Sequence, residues 1–208
     1  MTAVQGSDRD LFLRWQGGDI KAGEELFERH FDSVYRFFET KCPNDADELV
    51  QTTFLACLRG RDAFRHDASF RTYLFAIARN QLYGLLRSRQ RDRAVDFELS
   101  SIAELTSTAG TKLARHEQHE QLLEALRNLP LEAQTLLELH YMQDMQIAEL
   151  AEVFEAPAVT IRSRLHRARK QLRDLLEQNP QVARSVIETL ESMDQWGKEQ
   201  ATRIVTKA

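Results

Sequence analysis

The sequence predicts an all-α protein: two small helical domains, residues 8–91 and 112–178, joined by an acidic linker at 92–111, with a C-terminal helical extension at 179–208. Three observations predict it. Apolar residues recur at three- and four-residue steps through most of the chain, which is the spacing of one buried helix face. Only eight glycines and four prolines occur in 208 residues, too few turn-formers for a sheet-rich fold, and the prolines fall between helical patterns. Charge is segregated as well. The chain carries −4 overall, yet residues 59–93 sum to +6, 94–157 to −9 and 158–178 to +4, so two basic units flank an acidic stretch.

In order along the chain, Asp8–Trp15 and Ile20–Glu39 read as the first two helices, the second with Leu26, Phe27, His30, Phe31, Val34, Phe37 and Phe38 on one stripe. Pro43 interrupts, and Asn44 or Asp45 caps a helix from Ala46 to about Arg59. That helix buries Leu49, Val50, Phe54 and Cys57 or Leu58, which makes Cys57 a core residue and not a reactive thiol. Gly60–Ala68 is polar and irregular. Ser69 caps Phe70–Arg89, with Tyr73, Leu74, Ile77, Ala78, Leu82, Leu85 and Leu86 inward and Arg71, Arg79, Arg87 and Arg89 outward. From Asp92 to Gly110 the rhythm is lost to Ser, Thr and acidic residues, although Phe97, Leu99, Ile102 and Leu105 offer docking points. Helices then follow at about Lys112–Leu129, Glu132–Tyr141 and Gln146–Phe154. A turn at Glu155-Ala156-Pro157 leads into a long helix reaching about Gln178. Beyond Pro180 an amphipathic helix is expected over Gln181–Ile204, with Val182, Val186, Leu190, Met193 and Trp196 on one face.

Composition narrows the function. No apolar run approaches the roughly 20 residues of a membrane span, and the amino end lacks the layout of a secretory signal, so a cytoplasmic protein is expected. There is no GxSxG, HExxH or glycine-rich phosphate loop, and no enzyme activity or cofactor is expected. His116-x-x-His119 with His140 or Cys42 is a weak zinc pattern, and no metal site is assigned to it.

The segment Gln146–Arg173 has the spacing of a helix-turn-helix. Ile147, Leu150 and Ala151 line a short helix, and Ile161, Leu165 and Ala168 line a longer one, with Pro157 where a first-turn proline costs no helical bond. The other face of the longer helix holds Thr160, Arg162, Ser163, Arg164, His166, Arg167, Arg169, Lys170 and Arg173. Arginine pairs bidentately with guanine or phosphate and hydroxyls reach phosphate oxygens, so Arg162, Ser163, Arg164 and Arg167 are expected in a DNA groove. Arg169, Lys170 and Arg173 are expected at the backbone or in solvent. A second surface mixes cations and aromatics between Phe64 and Tyr83, as single-stranded nucleic acid requires. Phe64, His66, Arg71, Asn80 and Tyr83 are the candidates there, while Phe70, Tyr73, Leu74 and Ile77 are expected in the core.

These residues carry a resemblance. Asp45-Ala46-Asp47-Glu48-Leu49-Val50-Gln51-Thr52-Thr53-Phe54, then Ser69-Phe70-Arg71-Thr72-Tyr73-Leu74 with Ile77-Ala78-Arg79-Asn80, resemble one conserved domain of the bacterial RNA polymerase sigma factors of the extracytoplasmic-function (ECF) group. Leu129-Pro130, Ile147-Ala148-Glu149-Leu150-Ala151 and Thr160–Leu172 resemble the other. The resemblance spans about 24–90 and 118–177. It implies that core RNA polymerase is the partner, docked through Asp47, Glu48, Gln51 and Phe54. It implies that Phe64, His66, Arg71, Arg79, Asn80 and Tyr83 meet the single-stranded minus-10 element. Thr160, Arg162, Ser163, Arg164, Arg167 and Lys170 would meet the duplex minus-35 element, the acidic linker would run through the polymerase channel, and an anti-sigma factor would restrain the whole. The competing reading is a helical adaptor that binds a regulatory protein without promoter activity. Three departures stand out: Glu155 where the family usually has glycine, Val159 where it often has another, and Thr53 in place of the usual glutamate.

Overall fold

The computed structural model describes residues 6–64, 68–90, 96–105, 122 and 124–177, and among them the regular structure is helical apart from one isolated bridge, Ser101 to Pro130. The first half comprises α1 (Asp8–Gln16), α2 (Ile20–Glu39), α3 (Ala46–Gly60) and α4 (Phe70–Arg89). Three of the four starts have a local cause. Ser7 and Asp10 form a capping box on α1, Asp19 accepts from the Ala22 N–H at the head of α2, and Ser69 accepts from the Thr72 N–H at the head of α4. At α3 the predicted cap is only positional: Asp45 makes no side-chain cap, and its carboxylate instead pairs with Arg89.

The helix faces largely follow the apolar spacing, with Phe31 as the exception. Phe31 (46 % exposed) lies outside the core, where α2 contributes Leu26 and Val34 and α3 contributes Leu49, Val50 and Cys57; of Cys57 and Leu58, it is Cys57 that is buried. Thr53 is fully buried and its Oγ1 donates to the Leu49 carbonyl, so it satisfies its own helix and faces no partner. Gly23 is required where α1 crosses α2. A Cβ there would lie 2.5 Å from the Trp15 ring. The same crossing is tied by the Asp8 carboxylate, 2.6 Å from His30 Nε2 and 2.7 Å from Arg29 Nη1.

The second half comprises α5 (Ile102–Leu105), helical residues at 124–127, α6 (Leu131–Tyr141), α7 (Ile147–Val153) and α8 (Ala158–Glu177). Ile161, Leu165, Ala168, Leu172 and Leu176 recur at three- and four-residue steps and seal α8 onto α6 and α7. The described part of the acidic linker is docked: Phe97, Ile102 and Leu105 are buried, Leu99 is exposed, and the carbonyls of Ser100 and Phe97 accept from the Leu131 and Glu132 N–H groups at 2.9 and 3.0 Å. Residues 178–208, with the expected Gln181–Ile204 helix, lie outside the described residues, as do His116 and His119. His140 Nδ1 lies 2.8 Å from the Met145 carbonyl.

The two halves meet along a seam. Helix α4 packs on α7, and the buried apolar side chains run as one cluster from Leu11 to Leu176. At one end of the seam Lys41, with no exposed surface, pairs with Glu138 on α6, donates to the Phe37 carbonyl at 3.0 Å and lies 3.9 Å from the Phe37 ring centroid. Burial pushes the Lys41 ammonium below its ordinary value even with the Glu138 carboxylate beside it. Arg127 Nη1 adds a bond to the Thr40 carbonyl at 2.8 Å.

Candidate nucleic-acid interface

Helix α8 is held by its buried stripe so that its opposite face stands in solvent. Arg162, Ser163, His166, Arg167 and Lys170 are exposed and Thr160 is half-buried, all within about three turns. Val159, at the helix start, is 70 % exposed. Arg164 is the exception among the expected groove residues. It is half-buried and donates to Glu98 at 2.8 Å and to Glu132. Burial raises the Glu132 carboxyl above its ordinary value, with Arg164 opposing that shift.

The turn before α8 keeps the geometry that glycine would favour. Glu155 has φ +50°, and the Ala156 N–H still donates to the Ala151 carbonyl at 2.9 Å. The substitution leaves the turn in place and strains it.

On α4, Asn80 is exposed, and Arg71 and Arg79 are half-buried. Arg71 Nη2 is 3.5 Å from Glu149 Oε2. The Arg79 guanidinium lies between two rings, 4.4 Å from the Tyr83 centroid and 4.8 Å from that of Phe154. Phe64 is half-buried against Tyr73, with ring centroids 4.4 Å apart. His66 lies outside the described residues. Tyr83 corrects the sequence reading: it is 3 % exposed, and burial pushes its hydroxyl up to about 12. It lies under Arg79 and is closed off from a nucleic acid, because α4 is covered on two sides, by α3 and by α7.

The third group sits on α3. Asp47, Glu48 and Gln51 are exposed, with Leu55 and Leu58 further along the same helix, and Phe54 is half-buried. Phe54 stacks on exposed Phe31 at a 4° interplanar angle, and Phe31 stacks in turn on Tyr35. Sequence periodicity missed this external aromatic row, because Phe31 keeps the helical spacing of the core residues around it.

Sequence reasoning also missed Glu149 and Lys41. Glu149 Oε1 accepts from the Ser69 and Thr72 hydroxyls, each at 3.2 Å, which sets a carboxylate of the second half on the first turn of α4. A glutamate in a capping position gives no sign of such a contact. Glu138 left a trace: a charge inside Leu136-Leu137-Glu138-Leu139 needs a buried partner.

Two family models match the chain: sigma-70 region 2 at residues 26–92 and sigma-70 region 4 at 119–172. Among curated proteins, the ECF RNA polymerase sigma factor SigM of Mycobacterium tuberculosis is 30 % identical over 173 residues, covering 82 % of this chain and 85 % of its own. The ECF RNA polymerase sigma-E factor of Haemophilus influenzae is 25 % identical over 185 residues, covering 84 % of this chain and 98 % of its own. Among solved structures, CnrH in complex with the cytosolic domain of CnrY aligns at a TM-score of 0.63 with 25 % identity, over 83 % of this chain and 98 % of that one. The sigma factor RpoE of Bartonella quintana, in complex with the anti-sigma factor NepR, aligns at 0.60 with 20 % identity over 75 % and 97 %, a likeness of fold.

Proposed function

Since the chain belongs to the ECF RNA polymerase sigma factors and so directs the polymerase to promoters, we propose how its residues divide that work. The observation that carries the division is the exposed cationic face of α8, a helix held from behind by Ile161, Leu165 and Ala168. Arg162, Ser163 and Arg167 read the minus-35 duplex. Thr160, Arg164 and Lys170 meet its phosphates, Arg164 after leaving its carboxylate partners. Arg71, Arg79 and Asn80, with Phe64 and His66, hold the minus-10 strand once it is single. Asp47, Glu48 and Gln51 dock on core polymerase, with Phe54 supporting them from behind.

Residues 8–91 and 112–178 act as the two reading units, and the acidic stretch 92–111 connects them through the polymerase. The chain's own contribution is binding and positioning, with no catalytic group of its own. It works in the cytoplasm, alongside the polymerase. The RpoE structure holds the anti-sigma factor NepR and the CnrH structure the cytosolic domain of CnrY, and an anti-sigma factor restrains this chain.

Add-back transcription tests the division. Core polymerase supplied with this chain is expected to start transcripts on genomic fragments that core alone ignores, and R162A/R167A is expected to lose most of that activity. Core polymerase that stays silent on every fragment, or a chain that only blocks another sigma factor, would overturn it.

A further inference from the structure

The solvent face of α8 is polar except at its first turn. Val159, Arg162, Ser163 and His166 follow one another at steps of three and four residues, so they share one side of the helix, and all four are exposed. Ile161 and Leu165, on the other side, are buried. Val159 heads the row with 70 % of its surface in solvent. Single exposed apolar residues are ordinary on any protein, and Ile20 and Leu99 are as exposed as this one. Place sets Val159 apart. The fold draws little from it there: it buries little surface, it offers neither charge nor hydroxyl, and valine is a weaker helix former than alanine. The family often has glycine at this position, so the isopropyl group belongs to this chain in particular.

We propose that Val159 is a specificity-determining residue of the minus-35 contact: its isopropyl group packs against the C5-methyl of one thymine, and the chain prefers a T·A pair there. The inference rests on the minus-35 reading of α8 given above and adds a base preference to it. A duplex presents one apolar group in its major groove, the thymine methyl, and small apolar side chains read it by contact. Valine is short, so it makes that contact only where the helix backbone comes close to the base edges. The amino-terminal turn of a reading helix is that place. Position along the duplex follows from the helix rise. Val159 and Arg162 are about 4.5 Å apart along the axis and successive bases of a strand about 3.4 Å, so the thymine lies within about two base pairs of the base that Arg162 takes.

The test uses core polymerase with the full chain, on a promoter fragment from which the add-back assay starts transcripts. Each thymine of the minus-35 element, on either strand, is replaced in turn by deoxyuridine, which keeps the O4 acceptor and lacks only the methyl group. Binding is read by competition against the fluorescein-labelled parent fragment. At one position the replacement is expected to weaken wild-type binding about 3- to 5-fold, the worth of one buried methyl group. Val159→Ala is expected to lose about as much on the unmodified promoter and to be indifferent to deoxyuridine at that same position. Val159 is exposed and alanine is the better helix former, so the variant keeps the fold. A wild type indifferent to every deoxyuridine would overturn the proposal, and so would a Val159→Ala chain that stays as sensitive as wild type. The minus-35 reading fails separately, if R162A/R167A binds the unmodified promoter as tightly as wild type.

Discussion

Replacing Glu155 with glycine is expected to stabilise the helix-turn-helix, and the size follows from one angle. Glu155 sits at φ +50°, in the left-handed region where an L side chain costs about 1–2 kcal/mol. Glycine removes that cost but adds freedom to the unfolded chain, worth about 0.4–1 kcal/mol in the opposite sense. The Glu155 side chain is exposed and forms no ion pair among the described residues, so little else is lost. The net gain is about 0.5–1 kcal/mol, which for a chain of this size raises the thermal midpoint by about 1–4 °C. Far-UV circular dichroism during heating and urea titration reads both quantities. E155A is the control, since it removes the same carboxylate and keeps the backbone strain, and it should stay within about 0.5 kcal/mol of wild type. A glycine variant no more stable than wild type, or an alanine variant that gains as much, would refute the strain argument.

Three further outcomes are expected. G23A drives a methyl group to within 2.5 Å of the Trp15 ring and should cost about 1–3 kcal/mol of unfolding free energy by overpacking, seen as a lower urea midpoint. K41M leaves Glu138 buried beside Gln134 and Thr40 without its cation and should cost as much as about 3–5 kcal/mol. K41M/E138L should recover most of that, a non-additivity that calorimetry of the single and double variants measures. The hydrogen bond and charge of His30, then the hydrogen bond and charge of Arg29, hold the Asp8 carboxyl below its ordinary 3.8 against the opposing effect of burial. The stability it contributes is complete above that value and is lost as pH falls through the lower folded value; D8N should flatten the acid limb of a stability–pH curve there.

The helix boundaries were legible because their causes are local. Asp19 and Ser69 cap α2 and α4, and the predicted spans Ile20–Glu39 and Phe70–Arg89 match those of the structure. The cationic face of α8 was legible because its buried stripe repeats cleanly from Ile161 to Leu176, more than four turns. Tyr83 was misread for a tertiary reason. A helix packed on one side exposes the residue beside Leu82, but α4 is packed on two. The seam left only the isolated charge of Glu138, since contacts between residues nearly a hundred positions apart have no period to detect. Phe31 shows the converse, an aromatic with core spacing that stacks on the outside.

Two separable reading surfaces serving one promoter form the central claim, and initiation on two templates tests it most directly. One template is a complete promoter, and the other is truncated upstream of a pre-opened minus-10 bubble. With polymerase present, R162A/R167A should slow initiation on the complete promoter and leave the truncated template unaffected, whereas R71A/N80A should slow both. Equal slowing of both templates by R162A/R167A would contradict the account.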